Sequence, residues 1–195
     1  MHGFPDLDQV RSEMEAPYPS GRMSPRQLGD TLAQLVWESF SDFVADPEYR
    51  PLLLRLGIPL EDGLPPERIA EEFLILHLWA HSRAVQLSLF RRVPEGAVRS
   101  TLDHLHRAVF EDMVKNGTPE AQLPVFEQRV SARYTEYYAA AEQSDQRVGE
   151  VALEHLGDAG AAGTGTAAAR LLTERAIEIA NPLRDFVSGV ELVGE

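Results

Sequence analysis

The chain contains no cysteine among its 195 residues. Disulfide bonds, catalytic thiolates and cysteine-ligated zinc are therefore excluded, and this composition fits a reducing compartment. Basic residues are also scarce, because 18 Lys and Arg stand against 31 Asp and Glu, for a formal net charge of −13. The phosphate backbone of nucleic acids and an anionic membrane surface repel such a chain, so we expect neither as a partner.

Long hydrophobic runs are absent as well. No stretch of about 18 uncharged apolar residues occurs, so no transmembrane helix is expected. The N-terminal segment has neither the basic region nor the apolar region of a secretory signal, so we expect no signal peptide. Together these absences predict a cytoplasmic protein.

The hydrophobic residues that are present recur at helical spacing. They make up 44% of the chain, beside 25% charged residues, which is the usage of a globular protein. No segment shows the flanking alternation of a β-hairpin. The pattern predicts an all-α protein, an antiparallel bundle of about five helices. Residues 66–92 are apolar nearly all round, which predicts a largely buried central helix.

Local signals indicate where helices begin and end. Ser24 and Gln27 have the spacing of a capping box ahead of the first helix. A bend is expected near residues 144–149, because the fourth helix would otherwise be unusually long for a globular domain. Pro182 removes one backbone hydrogen bond from the last helix, which predicts a kink or an early end there.

The same signals divide the chain into four segments. We expect residues 1–23 to form an extended or partly disordered arm, because they carry prolines and no periodic pattern. Residues 24–156 are predicted to form the core of the bundle. The Gly/Ala stretch 157–166 is predicted to be a flexible linker. Residues 167–195 are expected to form a C-terminal helix that packs on the bundle or on a partner protomer.

Histidines form the sharpest local pattern. His77 and His81 lie four residues apart on the predicted central helix, so both imidazoles could reach one metal ion, and His104 on the next helix could add a third ligand. However, Leu78 stands where a zincin needs glutamate, and no Glu-x-x-His pair accompanies these histidines. The alternative is that the histidines flank the core and are satisfied by hydrogen bonds.

Arginine and aromatic residues supply the candidates for ligand binding. Five arginines concentrate on the predicted second and third helices: Arg83, Arg91, Arg92, Arg99 and Arg107. They could bind a phosphate, a carboxylate or an acidic partner, or they could pair with nearby acids such as Asp103, Glu111 or Asp112. Tyrosines at helical spacing could line a pocket or simply fill the core. The candidate ligand-binding residues are Arg83, Arg107, Trp79, Tyr134 and Tyr137.

Two functions fit these patterns. The favoured hypothesis is a non-enzymatic protein-interaction or accessory module, with a protein partner or with self-association as a homodimer, and with no cofactor. The alternative is a helical bundle that binds a small ligand or a divalent metal, which would include an enzyme. Its site would lie between the second and third helices.

Overall fold

The computed structural model describes residues 21–45, 50–55, 58–60, 63–156 and 165–194. Within these ranges the chain forms seven α-helices, one 3₁₀ turn and a pair of two-residue strands. The elements are β1 (Arg22–Met23), α1 (Pro25–Ala45), α2 (Arg50–Arg55), α3 (Glu67–Leu89), α4 (Glu95–Lys115), the 3₁₀ turn (Glu120–Gln122), α5 (Leu123–Gln143), α6 (Asp145–His155), α7 (Gly165–Gly189) and β2 (Glu191–Leu192). The predicted all-α bundle is confirmed.

The helix count differs from the five predicted. The long fourth helix divides into α5 and α6 at Ser144, whose backbone is extended (φ −169°, ψ 158°) and whose side chain accepts a hydrogen bond from the Arg147 amide. The short helix α2 is a separate element. The predicted bend is therefore a break with its own N-cap. The predicted arm up to residue 20, and residues 157–164 of the predicted linker, lie outside the described residues.

Helix α3 is the central element, as predicted. Every residue from Glu72 to Ser82 is buried, because α1 and α7 both pack along it. Helix α7 lies against α3 and α6 of the same chain and continues past Pro182 to Gly189. Of the two outcomes predicted at Pro182, the early end does not occur, since the tertiary packing of this helix outweighs the one lost hydrogen bond.

The first helix begins as the sequence predicts. The Ser24 amide donates to Gln27 Oε1 at 2.9 Å, and the Gln27 amide donates to Ser24 Oγ at 3.2 Å. This reciprocal pair is a capping box. Ahead of it, β1 pairs in parallel with β2, so that Arg22 lies opposite Glu191 and Met23 lies opposite Leu192.

Helices α6 and α7 approach closely at a glycine. A methyl group on Gly149 would lie 2.0 Å from the Ala169 carbonyl oxygen and 2.2 Å from Thr173 Oγ1. To reach an ordinary contact distance, the Ala169 carbonyl group would have to move away from the methyl group, and α7 would have to move with it. Position 149 therefore accepts only glycine while α6 and α7 keep this spacing.

A substitution at Gly149 measures how much the close packing of α6 on α7 contributes to the free energy of unfolding. Gly149→Ala should lower the free energy of unfolding by about 1–3 kcal/mol through overpacking, even though alanine favours helices. Gly96→Ala is the matched control, because nothing lies within 4 Å of a methyl group at that helical position. Chemical denaturation of both variants checks the expectation. Equal stability of the two variants would contradict the close packing of α6 on α7.

None of the helices in the described ranges is long and apolar enough to cross a bilayer.

Candidate functional site

The predicted site residues lie in three separate places. His77 and His81 are buried in the core, whereas Trp79 and Arg83 line a small cavity between α3, α6 and α7. The remaining candidates lie on α4 and α5: His104, Arg107, Tyr134 and Tyr137. The sequence predicted a single His/Arg site between the second and third helices. The structure instead places the residues of that site in three separate regions.

The buried histidines are bonded to their own helix. His77 Nδ1 lies 2.7 Å from the Phe73 carbonyl oxygen, and His81 Nδ1 lies 2.8 Å from the His77 carbonyl oxygen. A carbonyl oxygen only accepts, so each Nδ1 carries the hydrogen in the neutral ring. Burial lowers the pKa of His77 to about 3 and that of His81 to about 4, against the hydrogen bonds, which favour the charged form. Both rings are therefore neutral near pH 7.

Aromatic side chains surround His77. Its ring centroid lies 6.0 Å from that of Phe40 and 5.3 Å from that of Phe43, and Phe43 lies 4.9 Å from Phe73. The second ring nitrogen, Nε2, is buried without a hydrogen-bond partner among the described residues. This environment is that of a core histidine, which matches the hydrogen-bonded alternative from the sequence.

The candidate metal ligands do not come together in the part of the chain that the structure describes. Within the described residues, no group of three or more His, Asp or Glu side chains is placed to hold a metal ion. The predicted set of His77, His81 and His104 therefore does not form such a group. His104 instead lies where α4 crosses α1: a methyl group on Gly29 would be 2.6 Å from its Cβ. The predicted metal site therefore has no group of ligands to support it in the part of the chain described.

A groove opens between α4 and α5. The two helices follow each other in the chain, but they are not packed against each other along their lengths. The space between them holds a cavity of about 1010 Å³ and an adjoining one of about 470 Å³. His106, Phe110 and Glu127 line both cavities, so the two form one continuous groove. We call it the α4–α5 groove.

The floor and the rim of the α4–α5 groove differ in character. The apolar lining residues are Phe110, Val114, Leu123, Pro124 and Val130. Four carboxylates lie along the groove, and none forms an ion pair with a described residue: Asp103, Glu111, Glu120 and Glu127. The cations that line it are Arg107 and Lys115, and Lys115 is held 2.8 Å from Asp112. The rim is therefore acidic on balance.

A chain of hydrogen bonds runs along one wall of the groove. Tyr134 OH lies 2.9 Å from His106 Nε2 and 3.1 Å from Ser82 Oγ. The chain ends on the carbonyl oxygens of Leu102, bonded to His106 Nδ1, and of Leu78, which accepts from Ser82. These four contacts need four protons, whereas neutral His106, Ser82 and Tyr134 supply three. While Ser82 donates to the Leu78 carbonyl oxygen and Tyr134 donates to His106, no proton remains for the contact between Ser82 Oγ and Tyr134 OH.

Burial shifts the pKa values of His106 and Tyr134 in this chain of hydrogen bonds. It lowers the pKa of His106, against the hydrogen bond to Leu102, and it raises the pKa of Tyr134 well above its usual value. His106 is therefore neutral near pH 7 and accepts the Tyr134 hydroxyl proton. Tyr137 belongs to the core instead, with its ring 5.5 Å from Trp79, and burial likewise raises its pKa.

Arg83 has a different partner from the acids considered in the sequence. Its guanidinium lies 5.4 Å from the centroid of Trp79 and 3.8 Å from Asp145 Oδ1. Asp145 is the first residue of α6, and no local spacing relates it to Arg83. Arg83 is thus paired with an acid of this chain, as that alternative from the sequence expects, but the acid is Asp145 rather than Asp103, Glu111 or Asp112.

The sequence missed several residues of these sites. His106, Phe110 and Glu127 are not among the candidates that the sequence analysis names. The signal available was the spacing of His106 and Phe110, which places both on one face of α4. Comparisons with protein-family models, with curated proteins and with solved structures find no match for this chain. A proposal for function therefore rests on the geometry.

Proposed function

We propose that this protein is a non-enzymatic interaction module that binds a basic, amphipathic helical segment of a partner protein in the α4–α5 groove. The observation that carries the proposal is an open groove with an apolar floor and a rim on which carboxylates outnumber cations. A groove of this kind suits an amphipathic helix, whose apolar face covers the floor while its flanks meet the rim.

The dimensions of the groove suit a short helix. Its lining on α4 extends from Asp103 to Lys115. At about 1.5 Å per residue this stretch is roughly 18 Å long, which matches about three turns of a bound helix. Phe110 sits between the two cavities and is only partly buried, so a bound apolar side chain would complete its packing.

Charge selects the kind of partner. Four carboxylates and two cations line the groove, in a chain whose net charge is −13. The negative electrostatic potential of such a surface raises the association rate of a cationic segment and lowers that of an anionic one. A second copy of this chain would bring its own acids to the rim, so a basic partner is favoured over a homodimer.

A synthetic peptide tests the proposal. A 14-residue peptide with leucine on one helical face and lysine on the other, labelled with a fluorophore, should bind with an affinity that falls as salt rises. A peptide of the same length with glutamate in place of lysine should not bind. Fluorescence anisotropy measures both, and sizing by light scattering reports any homodimer.

Variants of the rim locate the binding site. Glu111→Lys combined with Glu127→Lys should weaken binding of the lysine peptide at least tenfold, because both charges face the groove. Glu142→Lys is the matched control, since this exposed acid lies on α5 outside the groove. Phe110→Ala should weaken binding without changing its salt dependence. Equal binding by the rim double variant and the control would overturn the proposal.

A further inference from the structure

A second cavity lies apart from the α4–α5 groove and shares no lining residue with it. It has a volume of about 120 Å³ and is enclosed by α3, by the first turn of α6 and by α7. This space is large enough for a few water molecules or for one small polyatomic ion. Its polar lining consists mainly of donors.

Two of these donors come from α3. The Arg83 guanidinium lies over the Trp79 ring at 5.4 Å from the centroid, with 27% of its side chain exposed. Trp79 is 3% exposed, and its indole Nε1 is buried without a hydrogen-bond partner among the described residues. An indole N–H can only donate, so the missing partner is an acceptor. Leaving such a buried donor without a partner is unfavourable.

Helix α7 contributes two more polar residues to the lining, Asn181 and Arg184. Arg184 forms no ion pair with any described residue. The Thr173 hydroxyl, also in the lining, already donates to the Ala169 carbonyl oxygen at 3.0 Å. Two arginines on different helices, Arg83 and Arg184, therefore line one small cavity.

One carboxylate, that of Asp145, lies in this lining. It is 64% exposed and stands 3.8 Å from Arg83 Nη2, which is beyond hydrogen-bond distance. An exposed pair of this length contributes little, so it leaves most of the Arg83 donors available. With two arginines and one aspartate, the cavity carries a local charge of about +1 in a protein whose net charge is −13.

From these contacts we propose that the cavity binds a small oxyanion, between Arg83 of α3 and Arg184 of α7 and beside Trp79. A planar guanidinium can donate two parallel hydrogen bonds to one oxyanion, and two arginines supply the charge that it needs. The first turn of α6 adds the positive end of its dipole. This site is independent of the partner proposed for the α4–α5 groove.

Tryptophan fluorescence tests the site directly. The chain has two tryptophans, so a Trp37→Phe background leaves Trp79 as the reporter. Inorganic phosphate, titrated against chloride at constant ionic strength, should change the Trp79 emission in a saturable manner. Acetate is titrated in parallel, and its affinity relative to phosphate shows whether the site prefers a phosphate or a carboxylate.

Single variants decide whether the arginines hold the ion. Arg83→Gln and Arg184→Gln should each weaken the binding of phosphate or acetate at least tenfold. Arg170→Gln, an exposed arginine on the same helix α7 but outside the cavity, should leave it unchanged. Arg184 is exposed, so its variant should fold normally even if Arg83→Gln does not. No saturable response to either anion, or equal affinity in Arg184→Gln and Arg170→Gln, would overturn the proposal.

Discussion

Lowering the pH from 7 to 5 should reduce the free energy of unfolding by roughly 3–4 kcal/mol through His77 and His81. Both imidazoles are neutral in the fold, with pKa values of about 3 and about 4, and regain the ordinary pKa of 6.5 when the chain unfolds. The unfolded chain therefore binds more protons below pH 6.5. Stability falls as the pH drops from about 6.5 and continues to fall until the folded pKa values are reached.

The backbone oxygens near His77 offset only part of the effect of burial on its pKa. Its ring lies beside those of Phe40 and Phe43, and Arg175 of α7 lowers its pKa further. No carboxylate contributes to the pKa shift of either buried histidine. Burial also lowers the pKa of His106, so this third ring adds to the loss in the same direction.

Urea denaturation at pH 7 and pH 5 measures the effect. His77→Phe keeps the ring volume among aromatic neighbours and removes one titrating group, so it should recover about half of the acid loss. The Phe73 carbonyl remains bonded within the helix, so no new unsatisfied group arises. Gly96→Ala, at an exposed position on α4, leaves both buried histidines in place and is the control that should retain the full loss. A pH dependence unchanged by His77→Phe would refute this account.

Removing Arg133 should destabilise the protein by about 3–5 kcal/mol. Its guanidinium makes a bidentate pair with Glu72 of α3, with Nε 2.9 Å from Oε2 and Nη2 3.0 Å from Oε1. The Glu72 side chain is 3% exposed, whereas that of Arg133 is 19% exposed. Arg133→Met would leave a carboxylate buried without its counter-charge, and that desolvation is the main part of the cost.

A double-mutant cycle separates the pair from its desolvation. Glu72→Met combined with Arg133→Met should recover most of the stability lost in Arg133→Met, because the buried charge is gone. The exposed pair Glu95–Arg99 is the matched comparison, with side chains 87% and 72% exposed. Arg99→Met should cost no more than about 1 kcal/mol. A double variant as unstable as Arg133→Met alone would show that the loss arises from packing rather than from charge.

The sequence predicts the helices well because their signals are local. The apolar residues around α3 indicate burial on all sides, and Ser24 with Gln27 indicates the first N-cap; both predictions are confirmed. The break at Ser144 falls within the region where a bend is predicted. Each of these features depends on residues a few positions apart, so one sequence is enough to find them.

The candidate sites depend on which helices are neighbours, and local spacing does not encode that. Arg83 lies 62 positions before Asp145, and Glu72 pairs with Arg133 across α3 and α5. The α4–α5 groove exists because two consecutive helices diverge, although a short connection is typical of helices that pack together. His104 faces Gly29 of α1, a contact that no pattern within α4 predicts.

The parallel pairing of β1 with β2 has a consequence for the order of folding. The Glu191 amide donates to the Gly21 carbonyl oxygen, and the Val193 amide donates to the Met23 carbonyl oxygen. The paired residues lie at positions 22–23 and 191–192, so nearly the whole chain separates them. Closing so long a loop costs more conformational entropy than closing the short loops between successive helices. We therefore expect the two strands to pair once α1 and α7 have packed against α3. The Val193 amide hydrogen should then exchange faster than the buried amides of α3, because a pair of two-residue strands opens at a lower free energy than the core.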